Sequence, residues 1–465
     1  MTTSTILGSS WLPNGTTRFF DRLGLVGAGA FAFGYVPSKA LANIGLGLLL
    51  IAFLARLPDN WPWLRRDPLV RLSGLWLLLL LVLAGRAALQ FPETAADQFG
   101  SLLEVFSFGL IPLVAWATLG DNRRVRWILA LALAGIVLRI IWDGNWGGAG
   151  PLFDYQHTAF GVNKNIAGVM MDTAVVGLLL YAMHQATHID DNRAWGRLLA
   201  AFALLGFLLL PWASNPSRAT WISLAASLVF MFLFLAAATL RGALGKRTVL
   251  IFLAALLILG TAVHLGFGQK MLARLTTEQH TWRAILAGDW EHVPNTSIGQ
   301  RIHMWRFALD LWLQQPWLGW GPKVNHLLAT YEHNATIRRF AQFHNGHLEI
   351  LVRVGSIGAV FFLAAAFLVF HAARDALKSG LISVFFFVFL LESLAIFLLN
   401  NGSISFIFFQ HGWQYVVLLG GLAYGYAFRR IAPTAPTRTQ LIERLEKEVS
   451  SHDLIPETHR RRFHA

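Results

Sequence analysis

Residues 219–240 read ATWISLAASLVFMFLFLAAATL and contain no charged side chain. An α-helix of about 20 apolar residues crosses the ~30 Å hydrocarbon core of a bilayer. Arg218 precedes this run and Arg241 follows it. The run therefore predicts a membrane-spanning helix with a cation at each end.

Similar apolar runs recur along the whole chain of 465 residues, which is 55% hydrophobic and only 14% charged, with a mean hydropathy of +0.52. A soluble protein carries roughly 25% charged residues, and a membrane β-barrel shows short segments of alternating hydrophobicity instead. The sequence thus predicts an all-α polytopic membrane protein with about twelve transmembrane helices. The predicted spans lie near 23–36, 40–56, 72–90, 101–119, 126–142, 165–183, 198–212, 219–240, 248–266, 347–370, 381–399 and 406–428.

Lysine and arginine are concentrated in alternate loops, and cytoplasmic loops are the ones that carry such an excess. The basic loops follow the second, fourth, sixth, eighth and tenth predicted helices, whereas the opposite loops hold few cations. Both termini are therefore expected in the cytoplasm. The polar start with Arg18 and Arg22 predicts a retained first helix rather than a cleaved signal.

This topology divides the chain into four parts. Residues 1–266 form helices 1–9 with short loops, 267–346 form a large loop on the far side, 347–428 form the last three helices, and 429–465 form a cytoplasmic tail. The loops 143–164 and 213–218 share the far side with 267–346.

Composition excludes several functional classes. Cysteine is absent, so disulfides, thiol catalysis and cysteine-based zinc sites are excluded. The net charge of +13 could indicate nucleic-acid binding. The cations lie mostly in short loops between spans, however, so we interpret the charge as a topology signal.

The large loop is too rich in tryptophan for a disordered linker. Residues 299–315 predict an amphipathic helix, because Ile302, Trp305, Leu309 and Trp312 recur at helical spacing. Pro316 and the glycines that follow it end this helix. A helix of this kind lies along a bilayer surface, which would place Arg301 and Arg306 near the headgroups.

Arg218 lies in a tight turn on the far side, directly before an apolar run. Ser217 is a candidate N-cap, and an arginine in the first helical turn opposes the helix dipole. An anion nearby would relieve that conflict. The alternative is an arginine that extends to lipid headgroups.

His344 comes just before a predicted helix N-terminus. The positive end of the helix dipole lowers the pKa of a histidine and favours the neutral form, which suits a general base. The alternatives are a helix-capping role for His344 and a catalytic role for His347. Glu349 and Arg353 are spaced to pair on the same helix. The spacing of His344, His347 and Glu349 matches no standard zinc motif, and we predict no metal and no cofactor.

Several ionisable residues fall inside predicted spans, where charge is costly and usually faces a cavity or a partner. Arg86 and Arg139 lie toward the far ends of their spans and could line a cavity there. A pair between Arg86 and Glu104 is the alternative. Lys164 and Asn165 open the sixth span and supply another cation beside an amide.

These residues together resemble the bacterial O-antigen ligases and the related O-antigen polymerases and protein O-oligosaccharyltransferases. The ligase signature is His followed by Asn, Ser or Gln, then nine residues, Gly, two residues and Gly, Thr or Tyr. Here it spans His344-Asn345, Gly355 and Gly358. The Ser217-Arg218 pair and the Arg301/Trp305 spacing also fit. The resemblance covers about 200–360 by motif.

The resemblance implies a GT-C-like membrane fold with a large periplasmic loop that contains amphipathic helices. It implies an inverting, metal-independent transfer of O-antigen polysaccharide from undecaprenyl diphosphate to a sugar hydroxyl of lipid A–core at the bacterial inner membrane. His344 would be the general base, and Arg218 with Arg301 or Arg306 would bind the diphosphate. Possible accessory residues are Lys164, Asn165, Arg86, Arg139, His347 and Asn345.

The acceptor is not encoded in these motifs. An O-antigen polymerase or a protein O-oligosaccharyltransferase would use the same donor chemistry. A lipid or polysaccharide flippase is a separate class, but it would show paired repeat halves and broken helices at mid-membrane, which this sequence does not display.

Overall fold

The computed structural model describes residues 15–148, 151–155, 158–187, 192–242, 245–266, 278–290, 292–332 and 335–432. One compact unit extends to Arg429, and the contacts below all lie within it. Residues 433–465 of the predicted cytoplasmic tail lie outside the described residues.

The described part is almost entirely α-helical, apart from one short hairpin of Thr158–Ala159 with Val162–Asn163. In chain order the helices are α1 (Gly15–Gly34), α2 (Lys39–Ala55), α3 (Leu57–Leu64), α4 (Pro68–Gln90), α5 (Ala95–Gly100), α6 (Leu102–Val105), α7 (Ile111–Thr118), α8 (Asn122–Asp143), α9 (Lys164–Ala186), α10 (Asn192–Ser214), α11 (Arg218–Leu240), α12 (Lys246–Gly266), α13 (Gln279–Leu286), α14 (Ser297–Gln314), α15 (Asn325–Ala329), α16 (Gly346–Lys378), α17 (Val384–Asn401) and α18 (Gln410–Ile431).

Seven of the described helices are long and apolar enough to cross a membrane, namely α4, α8, α9, α10, α11, α16 and α17. An eighth span results if the bent pair α2 and α3 is counted as one. The protein is therefore a multi-pass α-helical membrane protein, as predicted. The count of about twelve spans and the GT-C-like arrangement stay predictions.

The predicted span 101–119 is wrong as a continuous helix. Its apolar residues form α6, a 3₁₀ turn at Ser107–Leu110 and α7. Pro112 lies in the first turn of α7, where its missing N–H is tolerated, and it can donate no hydrogen bond back to Phe108 in the 3₁₀ turn. The carbonyl of Val105, left at the break, accepts a hydrogen bond from the Trp76 indole at 3.2 Å.

Helix α9 is the central helix of the bundle, since 83% of an apolar 18-residue stretch of it is buried inside the protein. It packs against α10, α11, α12 and α17. Its buried Asp172 accepts hydrogen bonds from the Trp212 indole of α10, at 2.8 Å, and from the Ser223 hydroxyl of α11. This packing holds the first residues of α9 and α11 beside each other.

The loop helix predicted over 299–315 is confirmed as α14, but its buried face differs from the predicted one. Met304, Ala308 and Leu311 are buried in a cluster that includes Val352 of α16. Leu309 is 40% exposed. The periodicity was sufficient to predict the helix, whereas its orientation depends on packing against α16.

A kink at Gly355 in α16 fixes the loop to the helix. Gly355 has φ 65° and ψ −172°, a conformation that is open essentially only to glycine. The kink leaves the carbonyls of Val352 and Arg353 to accept from the backbone N–H groups of Trp320, at 2.8 Å, and Gly321, at 2.9 Å. The turn that follows Pro316 is therefore held on α16 by backbone hydrogen bonds.

Candidate active site

The N-termini of α9 and α11 lie side by side and are joined by side-chain hydrogen bonds. The Ser217 hydroxyl donates to Oδ1 of Asn165 at 2.7 Å, and Asn215 Nδ2 donates to the carbonyl of Lys164 at 2.9 Å. Each helix N-terminus carries unpaired N–H groups and a partial positive charge. These contacts bring two of the predicted far-side loops to the same place.

Arg218 is the first residue of α11, and Ser217 caps the helix as predicted, its hydroxyl accepting from the N–H of Thr220 at 3.3 Å. The guanidinium forms an ion pair with Glu278, with 2.6 Å between Nη2 and Oε1. An anion was expected here because an arginine in the first helical turn opposes the helix dipole. Glu278 is that anion. No motif in the sequence pointed to Glu278, and only the need for an anion near Arg218 could have directed attention to it.

Glu278 also contacts the beginning of α14. Its Oε2 accepts from the N–H of Ile298 at 3.0 Å and from the hydroxyl of Thr296 at 3.4 Å. Thr296 is the N-cap residue of α14, with its hydroxyl accepting from the N–H of Gly299 at 3.2 Å. One buried carboxylate thus joins the start of α11 to the start of the loop helix.

Arg301 lies one turn into α14 and is influenced by both members of the ion pair. Burial lowers the pKa of Arg301, the positive charge of Arg218 lowers it further, and the negative charge of Glu278 opposes the change. The guanidinium still stays protonated, as arginine does in proteins. Arg218, Glu278 and Arg301 therefore form one electrostatic cluster.

Arg306 is placed elsewhere. It is exposed, and its Nη1 donates to the carbonyl of Trp290 at 3.2 Å. Of the two arginines that the sequence could not separate, Arg301 is the one that shares a cluster with Arg218.

His344 lies in a strained turn just before α16, with φ 52° in the left-handed region that few non-glycine residues adopt. Its carbonyl accepts from the Trp305 indole at 3.3 Å, and its ring meets Phe340 edge-on at 5.3 Å. The ring Nδ1 is buried without a hydrogen-bond partner among the described residues. This ring nitrogen therefore has hydrogen-bonding capacity that the described residues leave unused.

The environment of His344 lowers its pKa to about 4, chiefly through burial and then through the positive charge of Arg301. A weaker interaction with the Ser403 backbone opposes this change. The predicted direction is confirmed, but the predicted cause, the helix dipole, is not the one that the structure identifies. The ring is neutral at pH 7, as a general base must be.

The neighbours of His344 in sequence serve the helix. Asn345 caps α16, with its side-chain oxygen accepting from the N–H groups of His347, at 3.0 Å, and Leu348, at 3.2 Å. The exposed His347 ring bonds through Nε2 to the carbonyl of Leu398 in α17, at 3.0 Å. The hydrogen bonds of Asn345 and His347 thus stabilise the start of α16 and its contact with α17.

The predicted pair of Glu349 and Arg353 is confirmed, with 2.6 Å between Oε1 and Nη2. Glu349 also accepts from the N–H of Phe343 at 3.2 Å and from the Ser405 hydroxyl. Arg353 donates to the carbonyl of Pro322 at 2.6 Å. This buried pair therefore holds the turn that presents His344.

Arg86 and Arg139 make their contacts with other parts of the chain. Arg86 donates through Nη2 to the carbonyl of Gly319. The alternative pair of Arg86 with Glu104 is not formed among the described residues, and Oε2 of Glu104 instead lies 3.7 Å from Nη1 of Arg353. Arg139 pairs with Asp143 at 2.9 Å and lies beside Gly161, in the hairpin that leads into α9.

Within the ranges that the structure describes, no group of three or more histidine and carboxylate side chains is arranged to hold a metal ion. The expectation of a metal-independent site stays a prediction.

The fold and the cluster define a multi-pass membrane protein with a cationic, histidine-bearing site at one end of its helices. Residues 200–363 match a protein-family model described as O-antigen ligase. This part of the chain is therefore similar to the O-antigen ligase family. Arg218, Glu278, Arg301 and His344 all lie in the matched segment. No curated protein matches the chain.

Proposed function

We propose that this protein is an O-antigen ligase, which transfers O-antigen polysaccharide from undecaprenyl diphosphate to a sugar hydroxyl of lipid A–core. The observation that carries the proposal is that Arg301 acts electrostatically both on the half-buried His344 and on Arg218. The Trp305 indole of the same helix bonds to the His344 carbonyl and so fixes the position of His344 relative to α14. A base beside paired cations is what transfer from an anionic leaving group requires.

The two arginines would bind the donor diphosphate. Guanidinium groups bind phosphate oxygens through two parallel N–H bonds, and each offers five donors. Arg218 uses only Nη2 in its contact with Glu278. The N-termini of α9 and α11 add backbone dipoles that favour an anion. Lys164 begins α9 and is an accessory cation in this proposal.

In the reaction, the oxygen of the acceptor hydroxyl forms a bond to the anomeric carbon of the polysaccharide. The bond from that carbon to the diphosphate oxygen breaks, and its electron pair leaves with undecaprenyl diphosphate. The hydroxyl proton passes to His344. Attack from the face opposite the diphosphate inverts the anomeric centre, and the arginines stabilise the charge that builds on the leaving group.

The site is placed on the periplasmic face of the bacterial inner membrane in this proposal, with both termini in the cytoplasm. The positive-inside pattern of the short loops supports this orientation. Three sets of contacts support one common side for the three predicted far-side loops. They join residues 164–165 to 215–217, Arg218 to Glu278 and Trp305 to His344.

The lipopolysaccharide of a deletion strain tests the choice of acceptor. We expect bands of lipid A–core without polymer, together with accumulated lipid-linked polymer, and restoration by the full-length gene. Core carrying one repeat unit would instead indicate a polymerase. Unchanged lipopolysaccharide with loss of protein glycosylation would indicate a protein O-oligosaccharyltransferase.

A further inference from the structure

Glu278 contacts the same arginine that would bind the proposed donor diphosphate. It is 4% exposed, and its two oxygens contact different elements. Oε1 is 2.6 Å from Arg218, and Oε2 accepts from the N–H of Ile298 at the start of α14. A guanidinium and the first N–H groups of a helix are also the donors that a phosphate uses.

The Glu278 carboxylate therefore offsets the positive charge of the two arginines, as a bound anion would. Arg218 and Arg301 carry like charges that act on each other, and the charge of Glu278 offsets that repulsion. An arriving diphosphate brings more negative charge than one carboxylate, so it can take over the N–H groups of Arg218. Its departure leaves Arg218 without a partner unless Glu278 returns.

The charge of the product makes departure the difficult step. Breaking the bond to the sugar turns the terminal phosphate from a diester-like group into a monoester-like one, which gains a further ionisation near pH 6. Undecaprenyl diphosphate is thus more anionic than the donor from which it came. A cationic site binds such a product more tightly than the donor, and product release limits the turnover of many enzymes.

We infer that Glu278 is an internal counter-anion that competes with the diphosphate product for Arg218 and so speeds its release. This inference rests on the proposed function. Glu278 is a positioning residue in this account, because it acts on the substrate only through Arg218 and the start of α14.

The test measures binding of inorganic pyrophosphate to purified full-length protein. Glu278→Gln keeps the size of the side chain and removes its charge, so we expect pyrophosphate to bind about tenfold more tightly. We also expect kcat and the KM for the lipid-linked donor to fall together, because tighter binding slows release. A residue that only stabilised the loop would give weaker binding or a raised KM.

Asp289→Asn is the matched control, since it removes one negative charge from an exposed side chain of the same loop. It should leave pyrophosphate affinity within about twofold of the wild-type value, in line with the weak effect of exposed charges. Glu278→Asp serves as a second variant if Glu278→Gln does not fold. Its shorter side chain cannot reach both Arg218 and Ile298, and it should tighten binding in the same direction by a smaller factor.

The outcomes separate this inference from the function on which it rests. If Arg218→Gln weakens pyrophosphate binding but Glu278→Gln does not tighten it, the counter-anion role is wrong and the diphosphate site stands. If the wild type and every variant fail to bind pyrophosphate, the counter-anion role and the proposed diphosphate site are both wrong.

Discussion

The indole Nε1 of Trp305 donates a hydrogen bond of 3.3 Å to the backbone carbonyl of His344. This contact joins the loop helix α14 to the turn before α16 and crosses 39 positions of sequence. Trp305 and Arg301 are one helical turn apart, so the same face of α14 supplies both the support for His344 and the charge that acts on its ring.

Replacing Trp305 by phenylalanine tests this support. The variant keeps an aromatic ring but leaves the His344 carbonyl without its donor, which costs about 1 kcal/mol of stability. We expect a several-fold loss of transfer rate, measured with purified full-length protein alongside its thermal unfolding. Trp282→Phe is the control, because Trp282 is 47% exposed on α13. Equal rates for the two variants would contradict a role for the hydrogen bond.

The two arginines of α14 should differ in effect. Arg301→Gln removes a cation from the Arg218 cluster and should raise the KM for the lipid-linked donor by about tenfold or more, as loss of a charge-assisted contact does. Arg306→Gln removes an exposed cation that bonds to the Trp290 carbonyl, and its effect should be within about threefold. A larger rise in KM for Arg306→Gln than for Arg301→Gln would place the diphosphate on the other face of α14.

The pH dependence of kcat/KM follows from the lowered pKa of His344. The neutral ring accepts the proton, so activity should persist down to mildly acidic pH and fall as the pH passes below the free-enzyme pKa of about 4. Arg301→Gln removes a positive charge that lowers this pKa, so the acidic fall should move to higher pH. The midpoint of this fall should stay below the pH expected for an exposed histidine, since burial lowers the pKa of His344 more than Arg301 does. An unchanged midpoint would show that Arg301 does not act on the ring.

Gly355 should tolerate no side chain. Its φ of 65° is paired with ψ −172°, and an added Cβ would lie 2.3 Å from the Trp317 carbonyl carbon. Gly355→Ala should therefore destabilise the protein by about 3 kcal/mol, seen as a lower thermal midpoint in detergent. Gly196→Ala is the control, because a Cβ there meets no atom within 4 Å and alanine favours the helix. Equal thermal midpoints for Gly355→Ala and Gly196→Ala would contradict the close packing of the turn after Pro316 on α16.

Features that depend on local spacing could be predicted from the sequence. The apolar run 219–240, the Ser217 cap and the Glu349–Arg353 pair each require only residues within a few turns of one another. The span 101–119 was wrong because hydropathy counts apolar side chains, whereas the break depends on the geometry that Pro112 imposes.

Features that depend on tertiary packing could not be predicted in this way. Glu278 lies 60 positions from Arg218, and nothing in its own surroundings marks it as a partner. The choice of Arg301 over Arg306 follows from which face of α14 packs toward α16 and lies near Glu278. The direction of the His344 pKa change was accessible from its place before a helix, but burial and Arg301 cause it.

The central claim is that His344 accepts the proton of the acceptor hydroxyl. The most direct test is the rate of polysaccharide transfer by purified, full-length His344→Ala and His347→Ala with saturating lipid-linked donor. We expect His344→Ala to lose at least about 100-fold in kcat, as removal of a general base does, and His347→Ala to retain most of its activity. Retained transfer by His344→Ala, together with loss in His347→Ala, would contradict the account and assign the base to His347.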